Sequence, residues 1–144
     1  MQEIILVKYG EMALKGMNKK TFEDILVKNI KRRIKSLGKT EITRAQSTIY
    51  IAPLDEFFDA DEAIERLKKV FGIAALCRAA VCEKDFEDIK SKSIEYLDEV
   101  LSYAKTFKVT AKRADKSFPM KSPEICRELG GVLLEKFSHL TVNV

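Results

Sequence analysis

The spacing of apolar and polar positions predicts two consecutive units. Ile4-Ile5-Leu6-Val7 is a short apolar run, rich in β-branched residues and bounded by Gly10, the pattern of a buried strand. After a loop over residues 9–18, Phe22, Ile25, Leu26, Ile30, Ile34 and Leu37 recur at helical spacing. Lys28, Lys31, Arg32 and Lys35 fall on the other side of that helix, and Gly38 supplies its stop. Residues 41–45 and 48–52 read as a hairpin turning at Gln46-Ser47, with Ile49 and Ile51 alternating against Thr48 and Tyr50. Pro53 ends the second strand. Asp59 or Asp61 can cap a second helix with Ala63, Ile64, Leu67, Val70 and Phe71 on one face and Gly72 behind it. Residues 74–82 are compatible with a closing strand.

The order is therefore β-α-β-β-α-β over residues 1–82. This is the ferredoxin-like arrangement, an α+β fold with both helices on one face of an antiparallel sheet. Residues 83–144 form a second, α/β unit. Asp85 can cap a helix carrying Phe86, Ile89, Ile94, Leu97, Leu101 and Ala104 on one face. Residues 107–112 alternate strictly, which turns Phe107, Val109 and Ala111 inward and Lys108, Thr110 and Lys112 outward. Ser122-Pro123-Glu124 reads as a helix start, with Ser as N-cap and Pro at the first helical position. Ile125, Leu129, Val132, Leu133 and Phe137 follow on that helix. A last apolar alternation runs over residues 140–144. Two strands with two helices leave a sheet edge unprotected. The expectation is that a partner strand comes from elsewhere or that the natural protein is longer.

Composition narrows the function classes. The chain has 144 residues with 26 Lys+Arg against 22 Asp+Glu, a formal net charge of +4. That balance hides an asymmetry: residues 1–52 carry a net +6, residues 53–104 a net −6 and residues 105–144 a net +4. Two basic ends suggest an acidic partner, nucleic acid being the commonest. No apolar run approaches the roughly 18 residues that span a bilayer, and the N-terminus is no signal peptide, so the cytoplasm is the expected compartment and no membrane partner is expected.

Recognisable catalytic chemistry is missing from the sequence. There is no GxxxxGK[ST] phosphate loop, no GxGxxG and no SGGxDS-type pyrophosphate loop. Cys77, Cys82 and Cys126 form no CxxC pair, and His139 is the single histidine, so neither a metal site nor a nucleophile–base pair is expected. No catalytic residue and no cofactor is assigned to the chain. Two basic clusters remain as candidate phosphate contacts. The first comprises Lys8, Lys15, Lys19 and Lys20 around Gly10 and Gly16, where glycine permits close backbone approach and a helix follows. The second comprises Lys108, Lys112, Arg113, Lys116 and Lys121, interleaved with Phe118 and Met120, apolar groups against which a base can lie. Gly130-Gly131 inside the last helix costs about 1 kcal/mol per glycine relative to Ala; close packing against the sheet is the expected reason.

The stretch Lys8-Tyr9-Gly10-Glu11-Met12-Ala13-Leu14-Lys15-Gly16-Met17-Asn18, with Phe22-Glu23 behind it, resembles the N-terminal signature of the tRNA 4-thiouridine synthetases. These are also called tRNA sulfurtransferases and are linked to thiamine biosynthesis. Val70-Phe71-Gly72-Ile73 and the run from Phe107 to Lys116 are similar to the same family, the latter opening its THUMP pattern. The resemblance implies a ferredoxin-like domain followed by a THUMP domain that recognises the acceptor end of tRNA, here cut short at its C-terminus. It also implies a separate pyrophosphate-loop domain, absent from this chain, that uses ATP with magnesium for sulfur transfer to uridine 8. A cysteine desulfurase would supply the sulfur, and homodimerisation is a further expectation. The RNA-binding role carries over onto Lys108, Lys112, Arg113, Lys116 and Lys121, and onto Lys15, Lys19 and Lys20. The alternatives are the front end of another THUMP-containing tRNA-modifying enzyme, or a ferredoxin-like module that binds a small metabolite.

Overall fold

Strand β1 (Glu3–Tyr9) sits inside a four-stranded sheet with β2 (Thr40–Ala45), β3 (Thr48–Pro53) and β4 (Ile73–Ala80), in the order β2-β3-β1-β4. Every pairing is antiparallel. This computed structural model describes residues 1–10 and 18–143. The register sets Ile5 opposite Ile51 and Val7 opposite Ile49, so the β-branched residues of both central strands share one face. That face is buried to 0–1% exposure at all four positions. The β2–β3 turn puts Gln46 at φ 50° and Ser47 at φ 65°, the two positive φ values that a two-residue hairpin of right-handed twist requires.

Helices α1 (Lys19–Ile34) and α2 (Ala60–Leu67) cover that face. Phe22, Leu26, Ile30 and Ile34 of α1, with Ala63 and Leu67 of α2, complete one core with the sheet. Asn18 caps α1 by accepting from the Thr21 N–H at 2.8 Å, and Asp59 caps α2 by accepting from the Glu62 N–H at 3.0 Å. The resulting βαββαβ unit is the ferredoxin-like fold expected from the spacing. Arg78 of β4 bonds both Glu3 of β1 and Asp61 of α2, which holds its guanidinium firmly charged.

Two apolar side chains depart from the expected pattern. Ile25, placed on the inner face of α1 by its spacing, is 46% exposed, while Val27 and Glu23 go inside. Phe71 is 86% exposed because α2 ends at Leu67 and the chain turns through Gly72 at φ 98°, so the helical phase that would bury it no longer applies.

By contact the chain divides into Met1–Val81 and Cys82–Val144, and the second unit is built on a thinner core. It contains α3 (Phe86–Tyr103), β5 (Thr106–Phe107), α4 (Ser122–Lys136) and β6 (Thr141–Val142). β5 and β6 pair in parallel, with α4 in the crossover between them. Leu101, Leu133, Phe137 and Leu140 are its buried side chains, supported by half-buried Ile94, Leu97, Phe107 and Val109. Near the core the His139 Nε2 lies 2.9 Å from the Leu101 carbonyl, which can only accept, so that nitrogen carries the proton.

The strand expected over residues 107–112 is paired only at Thr106–Phe107. Its alternation nevertheless persists: Phe107, Val109, Ala111, Arg113 and Asp115 are half-buried, and Lys108, Thr110, Lys112, Ala114 and Lys116 are exposed. The side-chain pattern is therefore that of a strand with one face inward, without a ladder partner beyond Phe107. Ser122 is also not the cap of α4. The Lys121 carbonyl accepts the first helical bond, from the Ile125 N–H at 3.0 Å, so the helix starts one residue earlier than expected and Ser122 lies inside it.

Candidate nucleic-acid interface

The second basic cluster is carried by the exposed side of the segment after β5. Lys108, Lys112, Lys116 and Lys121 are all exposed, as period-two alternation requires of the first three. Arg113 differs. It is half-buried, and its Nη1 donates to the Phe118 carbonyl at 2.9 Å, closing the loop between the strand-like segment and α4. Asp115 organises the same loop from the other side. Its Oδ1 accepts from the Ser117 N–H at 2.9 Å and from the Ser117 hydroxyl at 2.6 Å. Its Oδ2 accepts from Lys84 Nζ at 3.1 Å. These bonds, those of Ser117 first, hold the Asp115 carboxyl ionised down to a pKa of about 2.

The loop borders a cavity of about 320 Å³. Ile89, Phe118 and Ile125 supply its apolar lining; Lys84, Lys112 and Arg113 supply its cations, and Glu83 and Asp115 its carboxylates, with Lys84 paired to Asp115. Apolar surface beside Lys112 and Arg113 suits a base with its phosphate. Phe118 is half-buried, so it both packs under the loop and lends surface to the cavity. Cys82 also lines this cavity, and burial is the first cause that pushes its thiol above the usual range. Sequence reasoning passed over Lys84 and Cys82. They precede the cluster by some thirty residues, and only the closure of the second unit brings them to it.

The expected cluster is thus divided. Lys112 and Arg113 meet at this cavity, whereas Lys108 lines a different one of about 680 Å³ with Phe107, Val109, Gly130, Gly131 and Val142. Lys116 and Lys121 line neither. The glycine pair has more room than expected: a Cβ on Gly130 would meet Val109 Cγ2 at 3.9 Å, and one on Gly131 would meet nothing within 4 Å. Close packing therefore does not explain Gly131.

In the first unit, Lys8 is exposed on β1 and Lys19 and Lys20 are exposed in the first turn of α1. Lys15 and Gly16 lie outside the described residues. Beneath this turn the Tyr9 hydroxyl donates to the buried Glu23 carboxylate. Arg44 pairs with Asp24 at 2.7 Å and approaches Glu23 at 3.8 Å. The carboxylates beside Lys19 and Lys20 are thus already partnered. Among the described residues no group of three or more His, Cys, Asp or Glu side chains could hold a metal ion, and no helix is long and apolar enough to cross a membrane.

Comparison with known proteins agrees with this architecture. The sequence profile of the ThiI ferredoxin-like domain matches residues 4–77, and that of the THUMP domain matches residues 83–144. The chain is 49% identical to a "Probable tRNA sulfurtransferase" of Acetivibrio thermocellus and 43% identical to one of Alkaliphilus metalliredigens, in both cases over all of this chain and 37% of the relative. It thus spans little more than a third of the length of these curated relatives. A crystal structure of a 4-thiouridine synthetase–RNA complex with bound ATP superposes over the whole chain and 36% of its own, at a TM-score of 0.79 and 35% identity. PH1313 from Pyrococcus horikoshii superposes over the whole chain and 47% of its own, at a TM-score of 0.81 and 28% identity. With both profiles in series and the fold matching over its full length, the chain belongs to the ThiI ferredoxin-like domain family and carries a THUMP domain behind it.

Proposed function

We propose that this chain is the tRNA-recognising portion of a tRNA sulfurtransferase, the enzyme that places sulfur at uridine 8. The observation that carries the reading is the alignment of its whole length with a 4-thiouridine synthetase solved in complex with RNA. The exposed cations Lys108, Lys112, Lys116 and Lys121, with Arg113 holding the loop, support the THUMP unit as the site that takes the acceptor end. Lys15, Lys19 and Lys20 add attraction from the first unit. All of these lysines act through phosphate, so their contribution falls with salt.

The chemistry belongs to other parts of the whole protein. This chain has no glycine-rich pyrophosphate loop, so its residues do not fit ATP, and no step is routed through the nucleotide here. ATP with magnesium, a cysteine desulfurase as sulfur source, homodimerisation and a cytoplasmic setting are proposed for the full-length enzyme. The test is tRNA binding by the 144-residue chain across a salt series, with circular dichroism to confirm folding. Binding that weakens steeply with salt is expected, and a folded chain that fails to bind even at low salt overturns the reading.

A further inference from the structure

The strongest concentration of basic residues in the sequence lies outside both candidate clusters. Between Lys28 and Lys39 six of twelve residues are basic and none is acidic: Lys28, Lys31, Arg32, Arg33, Lys35 and Lys39. All six are exposed. Several basic side chains elsewhere are paired: Arg44 with Asp24, Arg66 with Glu62, Arg78 with Glu3, Lys84 with Asp115 and Lys92 with Asp88. Among the described residues none of the six has an ion pair; Arg32 bonds only the neutral Asn29 amide, at 2.6 Å.

Their arrangement is a ridge. At 100° per residue, Lys28, Lys31, Arg32 and Lys35 fall within an arc of about 100° on one side of α1, over about 10 Å of axis. Lys31, Arg32, Lys35 and Lys39 then line a groove of about 670 Å³ at the end of the helix, together with Ser36. The one carboxylate in that groove, Asp55, already accepts from the Phe57 N–H at 2.9 Å. The ridge stands on rigid structure. Arg66 of α2 donates to the Arg33 carbonyl at 3.1 Å and to the Ser36 hydroxyl at 2.7 Å, fastening the end of α1 to its neighbour.

Complementing the helix dipole accounts for cations in the last turn only. Lys28 lies before that turn, and Lys39 lies beyond Gly38. The segment from 28 to 39 contains no aromatic residue, so it offers no stacking platform for unpaired bases. Closely spaced cations without aromatics match a sugar-phosphate backbone, which a duplex presents as one negative charge per nucleotide along each strand.

We infer that the Lys28–Lys39 ridge of the first unit is a sequence-blind binding surface for the phosphate backbone of a duplex RNA segment. The inference rests on the tRNA-binding reading and adds to it a second anchoring surface, carried by the first unit. The test uses the 144-residue chain with two probes, tRNA and an unrelated RNA duplex, across a salt series. In the variant Lys28→Gln/Arg32→Gln/Lys35→Gln, affinity for both probes at low salt is expected to fall at least about tenfold, and the log–log salt slope by about two to three. The variant Lys68→Gln/Lys69→Gln/Lys90→Gln removes the same charge elsewhere and is expected to bind as the parent does. Unchanged binding by the ridge variant while the parent binds overturns the ridge and leaves the tRNA reading standing. An equal loss in the control variant also overturns it, because bulk charge then suffices. A parent chain that binds neither probe removes both readings together.

Discussion

The Tyr9 hydroxyl donates to Glu23 inside the first unit, joining the end of β1 to the first turns of α1. Both residues are 9% exposed, and among the described residues the only cation paired with the carboxylate is Arg44, at 3.8 Å. Tyr9 therefore supplies the close donor of a buried acceptor. Tyr9→Phe removes that donor while keeping the ring packed on Phe22, whose centroid lies 5.5 Å away. The expected loss is about 1–3 kcal/mol of unfolding free energy, the cost of an under-satisfied buried acceptor. Urea denaturation measures it, and a change below a few tenths of a kcal/mol would show that Arg44 suffices.

The same pair gives an alkaline limit. Burial first, then the bond to Glu23, raises the Tyr9 pKa above its ordinary value of 10.0. The folded state thus holds the phenol proton more tightly than the unfolded chain does. That contribution is complete below pH 10 and is lost as the pH rises from there through the folded-state value. Thermal unfolding from pH 8 to 11 should show stability falling above about pH 10, and the fall should be smaller in Tyr9→Phe.

Asp115 sets an acid limit on the THUMP loop. Its carboxyl, bonded to Ser117 and Lys84, titrates near 2, below the ordinary 3.8. The loop geometry it supports is therefore present above that ordinary value and is lost as the pH falls toward 2. The Ser117 amide should report the change in an NMR titration with a midpoint near 2, and a midpoint near 4 would show that the bonds do not persist in solution. Asp115→Asn should abolish the titration.

Much of the first unit was legible because its signals are local. The alternation of Ile49 and Ile51, the recurrence of Phe22, Leu26, Ile30 and Ile34, and the Asp59 cap each specify an element without reference to the rest. Phe71 was misjudged because spacing says which residues would share a face if the helix continued, and Gly72 ends that phase. The segment after β5 teaches a related lesson. Its alternation correctly reported which side chains face solvent, but a hydrogen-bond partner is a property of another strand, and no local pattern reports one. The exposed lysines were legible for the same reason. Lys84 was not, since its approach to Asp115 depends on how α3 and the loop close together. The α1 ridge was visible as a solvated helix face; that it has no ion pair among the described residues depends on where the carboxylates of other elements come to lie.

The glycines of the two units should respond oppositely to alanine. Gly38 has φ 138°, and a Cβ there would lie 3.3 Å from both Asp55 Cβ and Oδ2, so Gly38→Ala should destabilise by about 1–2 kcal/mol. Gly131 lies within α4 with open space at its Cβ position, so Gly131→Ala should stabilise by up to about 1 kcal/mol. Thermal denaturation separates the two. Stabilisation of Gly131→Ala combined with weaker tRNA binding would show that the open backbone at this position serves RNA contact and has no packing role.

Arg113 and Lys112 are neighbours with different tasks, and their variants should separate on two axes. Lys112 is exposed and, among the described residues, makes no hydrogen bond or ion pair, so its effect is electrostatic. Lys112→Gln should lower the log–log salt slope of tRNA binding by about one and leave the loop unchanged. Arg113 spends one N–H on the Phe118 carbonyl, so part of its effect is positional. Arg113→Lys retains the charge but loses the planar fork that reaches that carbonyl. Its salt slope should match the parent, its low-salt affinity should fall several-fold, and the amide signals of residues 114–119 should shift. If Arg113→Gln lowers the slope by about one and leaves those amides in place, Arg113 contacts phosphate directly and the loop is held by Asp115 alone.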